Sequence, residues 1–376
     1  MDFELTQRQK NIQWTASEFA KGEFDPDLSF KLDQNGEFPE LIWKKASRLG
    51  FIGVHYPKEF GGLGLGLLEK VLVIEAFCKI DSGIGNALSI VDLGSIIILK
   101  FGSNDQKKQF ITPLAKGEKF LSIAFAESEV GKDFSTVTTV AKRVGKEYIL
   151  NGRKRFVCNA FLANAFIILC RESNEGWITL ILEKEESAEI SPVERMGLRM
   201  VRFGDIELKG VRVPFERRVG VEDEGLLQVN HLHQEIALRN SAQALGISQG
   251  AFERALKYAK QREAFGKKLS LFLVIRHKLA DIAVGIEVAR CLTYKSAVEY
   301  DQGKLKFDSL AITQLEVGRR LTKMLYDSMQ IFGGIGYMAE MDIEHYYRDG
   351  VMIGVNLGAE EELKDTVADR IIGPNA

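Results

Sequence analysis

Asp92 is the one acid in the run Leu88-Ser89-Ile90-Val91-Asp92-Leu93-Gly94-Ser95-Ile96-Ile97. A charge inside such an apolar stripe is rarely buried without purpose. Desolvation raises the pKa of a carboxylate toward neutrality, which makes Asp92 a candidate proton acceptor. The structural alternative is a helix cap or a salt bridge to a lysine. Glu235 and Arg239 form a second charged pair, read on their own as solvent-facing helix charges. In Gln261-Arg262-Glu263-Ala264-Phe265-Gly266 an arginine able to grip a diphosphate precedes an aromatic ring able to cover a nucleotide. An ordinary helix-to-helix loop would read the same way. Met329-Gln330-Ile331-Phe332-Gly333-Gly334 ends a helical pattern on paired glycines. That is either a helix C-cap or bare backbone open to a phosphate or ribose, with Gln330 as a hydrogen-bonding arm. His231 and His233 read as surface or interface residues, and Cys78 and Cys291 as core packing.

The elements that must position these residues fall into three zones, and the order α, then β, then α predicts an α+β fold. Residues 1–118 read as a helical domain in which 67–79 and 87–101 are buried helices. In residues 119–222 the period becomes strand-like, with Phe120 to Phe125, Tyr148 to Leu150, Ala165 to Leu169 and Trp177 to Leu182 as β-rich runs. Asn151-Gly152 between two such runs is the strongest hairpin signal. Residues 223–376 contain no proline until Pro374, and apolar residues recur every three or four positions, as expected of long helices in a bundle.

Composition bounds the class. A chain of 376 residues is too long for one ordinary core. Its 45% hydrophobic and 27% charged content is that of a globular protein, and a formal charge of -2 argues against nucleic acid as partner. The four cysteines show no metal or CxxC spacing and suggest a reducing compartment. No apolar run approaches a membrane span, and the polar N-terminus predicts a cytoplasmic protein.

Taken in order, these segments resemble the acyl-CoA dehydrogenase family of FAD enzymes. Further matches are Asn151-Gly152-Arg153-Lys154, Met196-Gly197-Leu198-Arg199, Val213-Pro214, Ala244-Leu245-Gly246 and Tyr347-Arg348-Asp349, so the likeness runs from about Gly36 to Arg370. It implies an N-terminal helical domain, a central β-barrel or sandwich and a C-terminal four-helix bundle that builds a dimer or tetramer. It also implies FAD at a subunit interface, with Arg262, Phe265, Gln330, Gly333 and Gly334 reaching the adenosine diphosphate half in the neighbouring subunit. Phe125, Ala126, Lys132, Phe156 and Cys158 would cradle the flavin half. An acyl-CoA thioester is the implied substrate, and an electron-transfer flavoprotein or similar acceptor the implied partner.

The chain departs from the family pattern at its chemistry. Where relatives carry Glu-Gly-Thr with the catalytic base, it reads Leu357-Gly358-Ala359, so the Leu357 N–H can still face a thioester in the pocket while its side chain takes no proton. Thr-Glu-Pro-x-x-Gly-Ser-Asp becomes Ala126 to Asp133, with Lys132 in place of serine near the phosphates. Trp-Ile-Thr-Asn becomes Phe156-Val157-Cys158-Asn159, a thiol replacing a hydroxyl donor. Asp92 is then the expected relocated base, in the run that lines the acyl pocket of the family, and Glu235 the second candidate. Relatives acting on alicyclic thioesters resemble this arrangement. A non-catalytic subunit of a heteromeric complex and a flavin monooxygenase are the competing readings.

Overall fold

The computed structural model describes residues 4–127, 136–172, 176–184 and 189–373. Its N-terminal part is helical: α1 (Gln7–Glu23), α2 (Pro26–Asn35), α3 (Glu40–Arg48), α4 (Leu67–Ile80), α5 (Ser82–Ser89), α6 (Ser95–Phe101) and the short α7 (Asn104–Gln106) and α8 (Thr112–Ala115). Sequence chemistry sets the boundaries. Thr6 and Gln9 form a capping box at α1, and α2 opens on Asp25 and Pro26 and closes on Gly36 in the left-handed conformation. From Leu67 to Cys78, α4 is buried on every side, so even its polar residues must find partners inside the protein.

The apolar run 87–101 is not one helix. It divides into α5 and α6 around a turn at 90–94, and Asp92 sits in that turn. The turn docks on strand β1 (Leu121–Ala124): Leu121 N–H donates to the Val91 carbonyl at 3.3 Å and Gly94 N–H to the Leu121 carbonyl at 3.1 Å. A Cβ at Gly94 would lie 2.9 Å from the Ser122 carbonyl, so only glycine permits this approach.

The middle of the chain is one twisted sheet in the order β6-β7-β3-β2-β4-β5-β8, with β1 parallel to β4. Its strands are β2 (Val140–Val144), β3 (Glu147–Val157), β4 (Ala165–Glu172), β5 (Gly176–Glu183), β6 (Ile190–Pro192), β7 (Gly204–Pro214) and β8 (Arg218–Val219). Asn151-Gly152 is not the hairpin turn its composition suggests. The β2–β3 turn falls at Gly145-Lys146, and Asn151-Gly152 lies within β3 at a register shift against β7. The Asn151 side chain there accepts a bond from Gly210 N–H at 2.9 Å, so the pair serves as a bulge.

The C-terminal part is the helical bundle expected: α9 (Gly225–Gln261), α10 (Leu273–Asp301), α11 (Phe307–Phe332), α12 (Ile343–Leu357) and α13 (Glu360–Ile372), with a small ribbon of β9 (Glu263–Ala264) and β10 (Lys267–Lys268) after α9. Gly246 and Gly250 let α9 press against α4. A Cβ on either would meet the Glu75 or Lys79 carbonyl at 2.5 or 2.3 Å. This contact brings the side chains of α9 and α4 into one buried layer. Among the described residues no helix is long and apolar enough to cross a membrane.

Candidate functional site

Three chain segments meet at Asp92, which is fully buried. Arg239 on α9 donates to Oδ1 at 2.7 Å. Tyr56, in the loop before α4, donates to Oδ2 at 2.8 Å, and its hydroxyl lies 3.0 Å from Ser95 Oγ. Lys70 on α4 approaches Oδ2 at 3.4 Å and donates to the Ile52 carbonyl at 2.9 Å. The other guanidinium nitrogen of Arg239 donates to Glu235 at 2.5 Å, and Glu235 also takes the Tyr300 hydroxyl at 3.2 Å and faces His55 at 3.4 Å. The two candidate acids thus share one arginine. Within this layer two carboxylates balance two cations, as burial demands.

Position and electrostatics oppose each other at Asp92. Burial pushes its carboxyl up, but Arg239, Lys70 and His55 together outweigh burial and hold it below the usual carboxylate range. The expectation of a raised pKa is therefore corrected: desolvation is present, and two adjacent cations reverse its sign. Glu235 is held low in the same way, with burial outweighed by Arg239 and His55. Reading Glu235 and Arg239 as solvent-facing is also corrected, since both are buried. The lysine salt bridge considered for Asp92 does exist, and Lys70 is its partner. Burial pushes the Lys70 ammonium down to about 8, with Asp92 acting the other way.

The end of α12 borders this layer. Leu357 is buried, its carbonyl takes a bond from Gln314 at 2.6 Å, and Gly358 follows at φ 117°. Asn240, next to Arg239, donates to the Asn356 carbonyl at 3.3 Å. The position that carries leucine instead of an acid therefore adjoins the helix that holds Arg239. Of the histidines, His231 is half-buried between Phe101 and Tyr300. Cys78 is buried as expected, whereas Cys291 is exposed and is not core packing.

The sheet brings together the residues assigned to a flavin. Phe125 is buried and Ala126 half-buried immediately after β1, and the Ala126 carbonyl accepts Arg155 N–H at 2.8 Å. Ser122 Oγ donates to the Cys158 carbonyl at 2.5 Å. The same strand therefore carries the Asp92 turn on one register and the Phe156–Cys158 segment on another. Phe156 has φ 54° and is half exposed, with the Arg155 guanidinium 4.6 Å from its ring. Burial pushes the Cys158 thiol up to about 12, so it can donate weakly but is no nucleophile. Glu127 anchors the segment by accepting from Thr138, Thr139 and the buried Lys154, the last at 2.6 Å. Sequence reasoning missed that anchor. Lys132 lies outside the described residues.

The residues assigned to a nucleotide form a second, exposed group. Phe265 is 97% exposed at φ 51°, on the ribbon turn that follows Arg262. Gln330, Gly333 and Gly334 are exposed at the end of α11, and no atom lies within 4 Å of a Cβ built on either glycine. Tyr258 stacks on Phe332 at 4.3 Å, which ties the Arg262 turn to the glycine turn. An exposed arginine fits a diphosphate, and an uncovered ring and bare backbone leave room for a ribose. Gly334→Val is expected to leave the fold intact and weaken FAD retention by about tenfold or more, a loss of roughly 1.4 kcal/mol. Flavin content after prolonged dialysis measures this.

Three family models match nearly the whole chain: the acyl-CoA dehydrogenase N-terminal domain over residues 6–118, the middle domain over 122–211 and the C-terminal domain over 223–372. The probable acyl-CoA dehydrogenase YngJ of Bacillus subtilis is 31% identical, with 99% of this chain and all of that protein covered. The caffeyl-CoA reductase-Etf complex subunit CarC of Acetobacterium woodii is 30% identical over 92% of this chain and 93% of its own. The solved structure of butyryl-CoA dehydrogenase from Megasphaera elsdenii superposes with a TM-score of 0.92 at 29% identity, covering 99% and 100% of the two chains.

Proposed function

Because the chain belongs to the acyl-CoA dehydrogenase family of FAD oxidoreductases acting on CH–CH groups, we propose that it oxidises an acyl thioester with Asp92 as the proton acceptor. The observation that carries this reading is the docking of the Asp92 turn on β1, the strand that leads directly into Phe125 and Ala126. A fully buried carboxylate thereby sits on a turn that docks at Leu121, on the same strand that leads into the segment assigned to the flavin ring. The proton leaves substrate carbon for the Asp92 carboxylate as the carbon–carbon double bond forms. FAD, when bound, supplies the two-electron acceptor for the hydride that leaves the neighbouring carbon. Tyr56, Lys70 and Arg239 hold Asp92 in place, and the Leu357 N–H is the donor proposed for the thioester oxygen whose charge develops.

An acid on this wall selects a proton away from the one that a residue at 357 would take, which suits an alicyclic acyl group such as cyclohexanecarboxyl. Glu235 is the alternative acceptor, joined to Asp92 through Arg239. Reoxidation by an electron-transfer flavoprotein and assembly as a homotetramer or heteromer complete the proposal. CarC, by its name, belongs to an Etf complex. The test is anaerobic mixing of the flavin-loaded protein with linear and cyclic acyl-CoAs while its absorbance is followed. Bleaching by cyclohexanecarboxyl-CoA or butyryl-CoA is expected. A yellow protein that no thioester bleaches would favour the non-catalytic subunit, and oxygen consumption dependent on supplied reduced flavin would favour the monooxygenase.

A further inference from the structure

We propose that Lys70 is the positioning residue that sets the proton affinity of Asp92, a role that rests on Asp92 being the base. Asp92 is gripped by three donors on three elements, and they are not equivalent. Arg239 and Tyr56 hold it at 2.7 and 2.8 Å, whereas Lys70 stands at 3.4 Å and keeps a shorter bond to the Ile52 carbonyl. Arg239 cannot lose its proton under working conditions, so it contributes a constant field. Lys70 can.

Charge balance gives the direction. With Lys70 charged, Asp92 and Glu235 are matched by Arg239 and Lys70, and a proton arriving at Asp92 leaves one uncompensated buried cation. With Lys70 neutral, the same proton cancels an uncompensated buried anion. The charged groups acting on Lys70 are Asp92 from the turn and Arg239 and Glu235 from α9; Tyr56 and His55, from the loop before α4, face Asp92 and Glu235, with Tyr300 from α10 behind Glu235. Of these, Lys70 is the group whose burial brings its titration to about 8. Neutralising it strengthens Asp92 as a base, so oxidation accelerates as pH rises through that value.

The first-turnover rate of flavin bleaching by cyclohexanecarboxyl-CoA, with butyryl-CoA as linear comparator, should rise about tenfold between pH 6.5 and 9.5, as for a shift of roughly one unit in Asp92. Lys70→Met should be fast and flat across that range, and Lys70→Arg slow and flat. A purely structural lysine would change the rate without removing the inflection. If the wild-type profile is flat, or Lys70→Met keeps the rise, the proposal is overturned; the wild-type profile decides even if a variant does not fold. Asp92→Asn separates the two readings. If it abolishes bleaching while Lys70→Met keeps the inflection, only Lys70 is misassigned. If Asp92→Asn bleaches within a few-fold of wild type, or neither thioester bleaches the wild type, the base assignment falls and this proposal with it.

Discussion

Asp92→Asn is expected to lower the first-turnover rate of thioester oxidation by at least about a hundredfold, the lower range for removing a positioned general base. The substitution preserves shape and keeps an oxygen for Arg239, so flavin content and circular dichroism should match the wild type. Substrate affinity should change much less than the rate, because the lost interaction is made as the proton moves. Glu235→Gln is the comparison. It removes the other carboxylate on the same arginine, and if the proton goes to Glu235 the order of the two variants reverses. Retention of activity within a few-fold in Asp92→Asn would sink the assignment. The wild type itself should be a slow enzyme near neutral pH. Each unit by which Arg239 and Lys70 depress Asp92 corresponds to about 1.4 kcal/mol of proton affinity.

The α, β, α order was legible because the hydrophobic period itself changes between the zones, and so was the long bundle after Pro214. Arg262, Phe265 and the paired glycines each read alone as an ordinary loop or helix cap, and the structure leaves all of them exposed. The turn at Asp92 was not legible. An uninterrupted apolar run carries no register for a break within it, and only Gly94 hinted that a backbone approaches there. Asn151-Gly152 misled for the opposite reason, because the residues that favour a tight turn also suit a bulge. The partners of Asp92 lay beyond local pattern. Lys70 and Arg239 are distant in sequence, and they meet only because Gly246 and Gly250 let α9 close on α4. Without that contact in view, Glu235 and Arg239 look like any exposed pair one turn apart, and desolvation looks like the whole account of the Asp92 pKa.

Arg239→Met should be the most destabilising of these substitutions. It keeps an unbranched apolar stem but leaves Asp92 and Glu235 buried without the cation they share, at about 3–5 kcal/mol for breaking a buried pair from one side. The pH dependence gives the mechanism. In the wild type both carboxyls are held low, so their contribution is present above the unfolded-state values near about 4 and fades only as pH falls through the folded ones. In the variant, burial acts on Glu235 without the guanidinium that outweighed it, with His55, Tyr300 and the more distant Lys70 left around it, and its carboxyl moves up instead. A group raised on folding contributes below its unfolded value and loses that contribution as pH increases. The stability gap between wild type and variant should therefore be wide at pH 8 and narrow toward pH 5, measured by urea unfolding at one protein concentration. Adding Asp92→Asn and Glu235→Gln to the variant should recover part of the loss at pH 8, because the uncompensated charges are then gone. A gap below about 1 kcal/mol, the range of an exposed pair, or one that does not change with pH, would mean that Arg239 is not the cation neutralising this layer. The electrostatic basis for Lys70 acting on Asp92 would fail with it.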